Sequence, residues 1–331
     1  MNMKDIVKSM RTLIFLQLCL YTMFFNACGN DELDPKSLLS SYRVVGLRAE
    51  PPELTLNTTT TLSLYDFHPK DLSGERPKVE YSWRLCPFSL GSITQYDCFV
   101  EELPLEGLNN PMETMEGMVE EQDQSTLSHL PPANASLILN PVELFAAFGE
   151  DLQAQMEQVE MGAGMLGSEM NFFESGFFEI YVKLTVRIEE EDEFEAVKAL
   201  TVSFDPDRSI NQNPILDEIS ASISLDTKPS VEIKEEVTVS ITAREGSVES
   251  FEEPLSVSDI EEGVKSEAIE ETLLVSYYTT SGLFDQAVKL LEDNETTLTI
   301  GEETGKHRLY ITLRDGRGGL DLRMYDYEVI E

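Results

Sequence analysis

The chain has few of the residues that usually carry catalysis or bind metals. Its 331 residues include four cysteines, three histidines and one tryptophan. The histidines, His68, His129 and His307, are far apart, and none has the spacing of a zinc site. The sequence contains no nucleophile elbow, Walker loop or dinucleotide fingerprint. We therefore expect no cofactor and no enzymatic activity.

Basic residues are also scarce. The chain has 24 lysines and arginines against 62 aspartates and glutamates, which gives a formal net charge of -38 at pH 7. A field of this sign repels nucleic acids and excludes the usual electrostatic basis of DNA or RNA binding. The hydrophobic fraction of 41% is nevertheless that of a folding chain. The length suits two domains.

The N-terminal segment is too short to span a membrane but is typical of a signal peptide. A start with three basic residues precedes an apolar run from Leu13 to Phe25. A membrane-spanning helix needs roughly 20 apolar residues, so this run indicates an export signal. Removal of residues 1–27 leaves 21 basic and 61 acidic residues.

The end of this segment, Phe25-Asn26-Ala27-Cys28, resembles the lipobox of bacterial lipoproteins. The resemblance implies cleavage before Cys28 and acylation of that cysteine, palmitate included, which anchors the chain to a membrane. Gly29 in place of aspartate favours the outer membrane. Two alternatives stay open, an ordinary secretory peptide that leaves Cys28 as a free thiol and an uncleaved anchor. Residues 28–41 suit a flexible tether.

Two further cysteines, Cys86 and Cys98, remain in the exported chain. Cysteines 12 residues apart in an oxidising compartment predict a disulfide. A loop this short contributes roughly 3 kcal/mol to stability on the chain-entropy account.

An internal repeat organises the rest of the chain. Residues 174–184 align without gaps on residues 303–313, at an offset of 129. Both stretches alternate apolar and polar residues like half-buried strands, and a second strand follows at 194–204 and at 320–330. Each copy therefore ends in a β-hairpin.

The same order of short alternating strands precedes each hairpin. With no alternation of strands and helices, this order predicts an all-β fold of two tandem immunoglobulin-like β-sandwich domains, antiparallel and of roughly seven strands each. Trp83 falls on an apolar strand face and is expected in the core. The expected strands are 43–47, 58–65, 79–85 and 135–139 in the first copy, and 219–225, 236–243, 273–278 and 296–300 in the second.

The expected domains are residues 42–207 and 217–331. A linker at residues 208–216 joins them, where asparagine and proline interrupt strand pairing. If the two copies stack end to end, the second domain and its final hairpin lie farthest from the membrane. A partner is expected there first.

The first domain carries an insertion at residues 99–172. Residues 101–124 include eight acidic residues and no basic ones, and we interpret them as a solvated loop. Asn140 before Pro141 is a helix-start signal, and apolar residues at helical spacing extend the predicted helix to residue 161. Its apolar face either packs on the first domain or offers a methionine-rich docking face to a partner.

Calcium is the ion for which the sequence offers candidate ligands. Ca²⁺ prefers carboxylate oxygens, and several aspartates lie near the expected hinge and turns. Aspartate in turns has an alternative role, since its side chain also caps backbone N–H groups. The candidates are Asp205, Asp207, Asp217, Asp315 and Asp321.

Residues 42–53, 81–87 and 313–319 look like parts of surface lipoproteins common in myxobacteria and their relatives. They read YRVVGLRAEPPE, YSWRLCP and LRDGRGG. The resemblance supports the fold and an envelope location, and the family carries no established activity or catalytic residues. Independently, Pro51 and Pro52 suit a kink between two halves of an edge strand, and the glycines of the last stretch suit a tight turn.

The sequence therefore favours a lipid-anchored envelope protein that presents two domains as a binding or assembly surface to a protein or glycan partner. Two other functions stay open. One is an envelope hydrolase that uses carboxylates of residues 101–170, and the other is a mechanical spacer within a surface complex.

Overall fold

The computed structural model describes residues 36–87, 89, 91–98, 101–105, 130–144, 146–147, 149, 177–189, 191–203, 209–252 and 268–331. By their contacts these residues belong to one unit, Lys36–Glu331. They form two consecutive β-sandwiches, each made of two sheets. The structure therefore confirms the predicted all-β class with two immunoglobulin-like sandwiches.

Eight of the described strands form the first sandwich. They are β1 (Arg43–Glu50), β2 (Glu53–Thr55), β3 (Thr60–Phe67), β4 (Val79–Cys86), β5 (Leu103–Pro104), β6 (Ala135–Leu139), β7 (Phe177–Ile188) and β8 (Phe194–Ser203). One sheet has the order β1-β3-β6, and the other has the order β2-β8-β7-β4-β5. Short 3-10 helices lie at Pro69–Leu72 and Gly91–Thr94.

The remaining described strands belong to the second sandwich and to a two-stranded ribbon beside it. They are β9 (Leu216–Ala221), β10 (Ser230–Glu232), β11 (Glu236–Ala243), β12 (Ser250–Glu252), β13 (Ala268–Glu270), β14 (Leu274–Thr279), β15 (Leu283–Phe284), β16 (Val288–Leu290), β17 (Thr296–Thr299), β18 (Gly305–Arg314) and β19 (Leu320–Ile330). The sheets have the orders β10-β19-β18-β14-β16 and β15-β17-β11-β9, and the ribbon pairs β12 with β13. Leu225–Thr227 and Leu291–Asp293 form 3-10 helices.

The sequence repeat corresponds to a repeated topology. The order β1-β3-β6 recurs as β9-β11-β17, and the order β2-β8-β7-β4 recurs as β10-β19-β18-β14. Both predicted hairpins are present, because β7 pairs with β8 and β18 pairs with β19 in antiparallel register. The repeat therefore marks two copies of one connectivity.

The expectation of purely antiparallel sheets is wrong at one strand in each sandwich. Strand β2 runs parallel to β8, and β10 runs parallel to β19. In the first sandwich the chain leaves one sheet at Glu50 and enters the other at Glu53, with a cis peptide before Pro51. Neither Pro51 nor Pro52 has an N–H to donate to a ladder, so the change of sheet falls at the predicted kink.

Each sandwich has its own apolar core. Trp83 is buried in the first core beside Leu85 and Leu184, as predicted. Tyr277 and Ile311 are fully buried in the second core. The inward residues alternate along β7 and β18 because successive side chains of a strand point to opposite faces.

Strand positions were predicted less well where the strands are short. The strand expected at 219–225 lies at Leu216–Ala221, and Leu225–Thr227 is a 3-10 helix instead. Strands β2, β5, β10, β12, β13, β15 and β16 were not predicted. Each has two or three residues, which is too short to show a periodic pattern.

The described parts of the insertion belong to the first sandwich. Strand β5 pairs with β4, and Leu103 and Leu105 are buried in the core. The interpretation of residues 101–124 as a solvated loop is therefore wrong for residues 101–105, and residues 106–124 lie outside the described part. The acidic composition of this stretch predicted exposure, but Leu103 and Leu105 are buried.

The predicted helix begins at Pro141, where expected. The side chain of Asn140 accepts hydrogen bonds from the N–H groups of Val142 at 2.9 Å and Glu143 at 3.4 Å, which is the geometry of an N-cap. Leu144 is buried in the first core. The side chains that would form the predicted apolar face farther along the helix lie outside the described part.

Candidate functional site

The two sandwiches pack side by side through a third apolar cluster. We call this contact region, with the polar residues described below, the inter-sandwich interface. Residues from the outer face of β1 and β3 meet residues from the outer face of β18 and β19. The cluster contains Leu39, Val45, Tyr65, Phe67, Tyr310 and Leu322. The end-to-end arrangement considered from the sequence is therefore wrong, and the final hairpin lies against the first sandwich.

The chain enters this interface from its N-terminal side. Leu38 forms a parallel bridge with Thr279 of the second sandwich. The N–H of Leu39 donates to the carbonyl of Thr279 at 2.7 Å, and the N–H of Thr279 donates to Ser37 at 2.9 Å. The last part of the segment expected as a tether is thus hydrogen-bonded to the folded body. Two adjacent leucines explain this, because their burial favours docking over a solvated tether.

Strand β1 is packed against the side chain of Leu320, at the start of β19. The register of β1 shifts between Val44 and Gly46, which is the signature of a bulge. A Cβ atom at Gly46 would lie 2.7 Å from Cδ2 of Leu320. A side chain at position 46 would therefore require the end of the Leu320 side chain to move.

Arg48 and Asp321 form the buried ion pair of the interface. The guanidinium of Arg48 donates to Oδ1 of Asp321 at 3.2 Å and to the carbonyl of Leu320, and it also pairs with Glu50. The other oxygen of Asp321 accepts from the N–H of Leu216 at 2.7 Å. Arg48 and Asp321 are both buried, so their charges are compensated by each other and by hydrogen bonds.

Arg317, in the turn between β18 and β19, gathers three carboxylates. Its guanidinium lies 3.2 Å from Glu53, 2.7 Å from Glu271 and 3.5 Å from Glu249. It also lies 4.4 Å from the centroid of the Phe251 ring, a cation–π contact. Burial raises the pKa of Glu271, and the hydrogen bond from Arg317 opposes that rise. One arginine therefore ties the ribbon and both sandwiches together.

Two asparagines of the expected linker complete the interface. Asn211 donates through its backbone N–H to Glu53 at 3.0 Å and through its side chain to Asp315 at 2.9 Å. Asn213 donates to the carbonyl of Ala49 at 2.7 Å and accepts from the N–H of Leu320 at 2.8 Å. The linker is thus fixed by side chains that bridge the two sandwiches.

The structure places the calcium candidates in separate roles. Asp315 caps its own turn, accepting from the N–H groups of Arg317 and Gly319 at 2.8 Å each. Asp321 is paired with Arg48, as described above, and Asp217 is exposed on β9. Asp205 and Asp207 lie outside the described residues. Among the residues that the structure describes, no three His, Cys, Asp or Glu side chains are placed to hold a metal ion.

The histidines that the structure describes take part in local hydrogen bonding. Nδ1 of His68 accepts from the N–H of Lys70 at 3.1 Å, so Nε2 carries the proton toward Glu191 at 2.8 Å. His307 lies 2.9 Å from the carbonyl of Glu303 and 3.2 Å from the hydroxyl of Thr280. His129 lies outside the described part of the chain.

Asp66 is the centre of a second buried polar cluster, inside the first sandwich. Its carboxylate accepts from Tyr42 at 2.9 Å and from Tyr81 at 3.2 Å, and it pairs with Arg76. Burial and the charge of Asp66 raise the pKa of Tyr81 to about 12. Tyr42 begins the segment 42–53 and Tyr81 begins the segment 81–87, so this cluster connects these two segments.

Two clefts of about 370 Å³ each open along the interface. The first, the Lys198 cleft, lies between β1, β8 and the turn after β18, and its lining includes Lys198 and Arg314. The second, the His307 cleft, lies between the Pro69–Leu72 helix and β18 and β19. In the His307 cleft, Arg308 is paired with Asp326 at 2.8 Å, and the carboxylates of Asp71 and Glu328 also line the cleft.

The disulfide is present, but other predicted site residues are not placed. Cys86 and Cys98 are bonded, which confirms that prediction and closes a loop after β4. Cys28 lies outside the described residues. Within the insertion, Glu102 is paired with Lys183 at 2.7 Å and with Arg84 at 3.5 Å, so this carboxylate is engaged structurally.

Sequence reasoning did not find the inter-sandwich interface. Residues 42–53 and 313–319 meet there through Glu53 and Arg317, and Arg48 pairs with Asp321 just beyond the second of these segments. Both pairs lie more than 260 residues apart in the sequence. One available signal was the presence of isolated arginines in a strongly acidic chain. A second was Lys198, which interrupts the apolar alternation of β8.

Comparison with known proteins gives a limited result. No protein-family model and no curated protein matches the chain. Among solved structures, the chain is similar to the D0-D1 domain of intimin, with 9% identity, coverage of 87% of this chain and 99% of that chain, and a TM-score of 0.24. It is also similar to the N-terminal Ig1-2 module of the Drosophila receptor protein tyrosine phosphatase DLAR, with 8% identity, coverage of 88% and 100%, and a TM-score of 0.25.

The fibronectin(III)-like modules of Clostridium thermocellum CbhA are a third similar structure. Their identity is 8%, the coverage is 87% of this chain and 93% of that chain, and the TM-score is 0.22. No functional conclusion follows from similarity at this level. Separately, none of the helices formed by the described residues has the length and apolar character of a membrane span.

Proposed function

We propose that the protein is a lipid-anchored component of a bacterial cell envelope, held at the outer membrane through Cys28, with a binding rather than a catalytic role. In this proposal the two immunoglobulin-like sandwiches act as one rigid body that presents a surface to a protein or glycan. The lipobox and the likeness of three stretches to myxobacterial surface lipoproteins support the location.

The observation that carries the proposal is the inter-sandwich interface. The apolar cluster, the Arg48–Asp321 pair and the Arg317 carboxylates join the sandwiches, and Ser37 to Leu39 are hydrogen-bonded to Thr279 beside them. A tether that begins at this interface would connect both sandwiches, as one body, to its lipid. A rigid body of this kind suits presentation of a surface, because binding then costs little interdomain ordering.

The second sandwich offers an exposed apolar sheet edge for such binding. Strand β16 is an edge strand, and its Val288 and Leu290 are 61% and 47% exposed. Leu274 of β14, 38% exposed, is directly opposite Leu290. Exposed edge strands with apolar side chains are templates for strand addition by a partner. We therefore place the docking surface at β16.

The anchor is tested by membrane fractionation and by mass spectrometry of the mature N-terminus. We expect the wild-type protein in the membrane fraction with an acylated Cys28, and the Cys28→Ser variant in the soluble or uncleaved fraction. Cys19→Ser is the matched control, because Cys19 lies in the apolar run that cleavage removes. A soluble wild-type protein with an unmodified Cys28 would refute the anchor.

The docking surface is tested by photo-crosslinking in intact cells. A photoreactive residue at position 288 should give a defined crosslinked species, and the same residue at Val248, which is 47% exposed elsewhere on the second sandwich, should not. A Leu290→Lys substitution should abolish the product from position 288, because a charge on an edge strand opposes strand addition. Equal products from positions 248 and 288 would contradict docking at β16.

A further inference from the structure

Lys198 occupies a position where a lysine is unusual. It lies on the face of β8 that also carries Leu200 and Val202, and its strand partner on β7 is the buried Val182. The residue is 8% exposed. Lysine is almost never buried so fully unless its charge is paired. Its ammonium donates to the carbonyl of Gly318, and among the described residues no carboxylate forms an ion pair with it.

The ammonium lines the Lys198 cleft together with a second cation, Arg314. Arg314 is exposed, and the hydrogen bond it makes to a described residue is to the carbonyl of Val45 at 3.3 Å. The described lining residues include no carboxylate. Two cations that form no ion pair with a described carboxylate therefore line one cavity, in a chain that has 62 acidic residues.

The electrostatic environment of the cleft is positive. Burial is the main cause that lowers the pKa of Lys198 to about 8; the charge of Asp315 opposes this shift, and the smaller effects of Arg314 and Arg48 add to it. These are the charged groups that face Lys198 from β1, from β18 and from the turn. An anion in the cleft would add a negative charge beside the ammonium, besides that of Asp315, and would favour the cationic form of the lysine.

The remaining lining of the cleft is aliphatic or glycine. Val44, Leu47 and Ala196 supply aliphatic groups to the lining, and the glycines of the turn add no side chains to it. The volume of about 370 Å³ falls within the range of small-molecule sites, roughly 300 to 1,000 Å³. The cleft thus combines a cationic end with an apolar wall.

We propose that the Lys198 cleft binds a small aliphatic carboxylate. Its carboxylate lies between Lys198 and Arg314, where it accepts charge-assisted hydrogen bonds, and its hydrocarbon part lies along Val44 and Ala196. This site is separate from the docking edge at β16 and does not depend on the lipid anchor. Its failure would leave the proposed function untouched.

The test is calorimetric titration of the purified full-length protein with hexanoate. Acetate removes the hydrocarbon part, hexanamide removes the charge, and inorganic phosphate supplies an anion with no apolar part. We expect hexanoate to bind at least about tenfold more tightly than each of the three. Hexanamide loses a charge-assisted hydrogen bond, which accounts for a factor of this size. Acetate and phosphate lose the burial of the hydrocarbon part, which contributes about 0.8 kcal/mol for each buried methylene. Absence of hexanoate binding, or equal binding of phosphate, would overturn the proposal.

Variants separate the cleft from general charge effects. Arg314→Gln, at an exposed position that tolerates substitution, and Lys198→Met should each weaken hexanoate binding at least about tenfold. Lys306→Gln is the matched control, because it makes the same change of charge in the His307 cleft. Equal weakening by Lys306→Gln and Arg314→Gln would mean that only the overall field matters, and it would refute the site.

The pH dependence gives a readout that a structural role of Lys198 would not produce. Affinity should be constant from pH 6 to about 7.5 and should fall above pH 8, as the lysine loses its proton. In Lys198→Arg the charge persists, so this fall should disappear. A fall of the same size in Lys198→Arg and in the wild type would contradict the assignment.

Discussion

Substitution of Asp321 by asparagine, in the second sandwich, should destabilise the first sandwich. Asp321 is fully buried, and its carboxylate accepts from Arg48 of β1 and from the N–H of Leu216. Asparagine retains an oxygen acceptor of the same size but removes the charge opposite Arg48. The buried guanidinium then keeps only Glu50 as an ionic partner.

The expected loss of unfolding free energy is about 3 kcal/mol. Breaking a buried ion pair by neutralising one partner typically costs about 3 to 5 kcal/mol, and the remaining pair with Glu50 places this case at the lower end. With a urea dependence of about 3 kcal/mol per molar for a chain of this size, the unfolding midpoint should fall by about 1 M.

Tryptophan fluorescence makes the coupling between the sandwiches measurable. Trp83 is the only tryptophan of the chain and lies in the first core, so its signal reports the first sandwich alone. Glu193→Gln is the control, because its pair with Arg187 is substantially exposed and should contribute less than about 1 kcal/mol. A Trp83 midpoint that stays unchanged in Asp321→Asn, while circular dichroism shows loss of the second sandwich, would refute coupling through the interface.

Three other predictions concern stability. Gly319→Ala should lower the free energy of unfolding by about 2 kcal/mol in urea, because the new Cβ would lie 2.1 Å from Oδ2 of Asp315. Gly74→Ala, where φ is 76° and no atom lies near the new Cβ, should lower it by about 1 kcal/mol. Equal losses would contradict the steric argument. Reduction of the Cys86–Cys98 disulfide should lower stability by roughly 3 kcal/mol, and a Cys86→Ser, Cys98→Ser double variant should not respond to reductant. Burial raises the pKa of Tyr327 to about 12 against about 10 in the unfolded chain. Its contribution to stability, at most about 3 kcal/mol, is therefore complete below pH 10 and is lost as the pH rises toward 12. Urea midpoints from pH 9 to 11.5 should fall less in Tyr327→Phe than in the wild type.

The fold was predictable wherever the sequence carries a long periodic signal. Strands β7, β8, β18 and β19 each have ten or more residues, and their alternation revealed both the hairpins and the repeat. Trp83 and the start of the helix at Pro141 followed from the same kind of local pattern. The disulfide followed from cysteine count and compartment.

The inter-sandwich interface was not predictable in the same way. Its pairs, such as Arg48 with Asp321, are distant in the sequence and show no periodicity. Alternation identifies which face of β1 or β19 is apolar, but both faces of these strands are buried in part, one in a core and one in the interface. The calcium interpretation of Asp315 shows a similar limit, because a turn cap and a metal ligand use the same residue type.

The joining of β1 to the final hairpin also constrains the order of folding. Synthesis proceeds from the N-terminus, and the strands of the first sandwich are complete at Ser203. The apolar side chains of Val45, Tyr65 and Phe67 stay uncovered until Tyr310 and Leu322 have been made, about a third of the chain later. A chain truncated before the final hairpin should therefore aggregate through this open face rather than yield a soluble first sandwich.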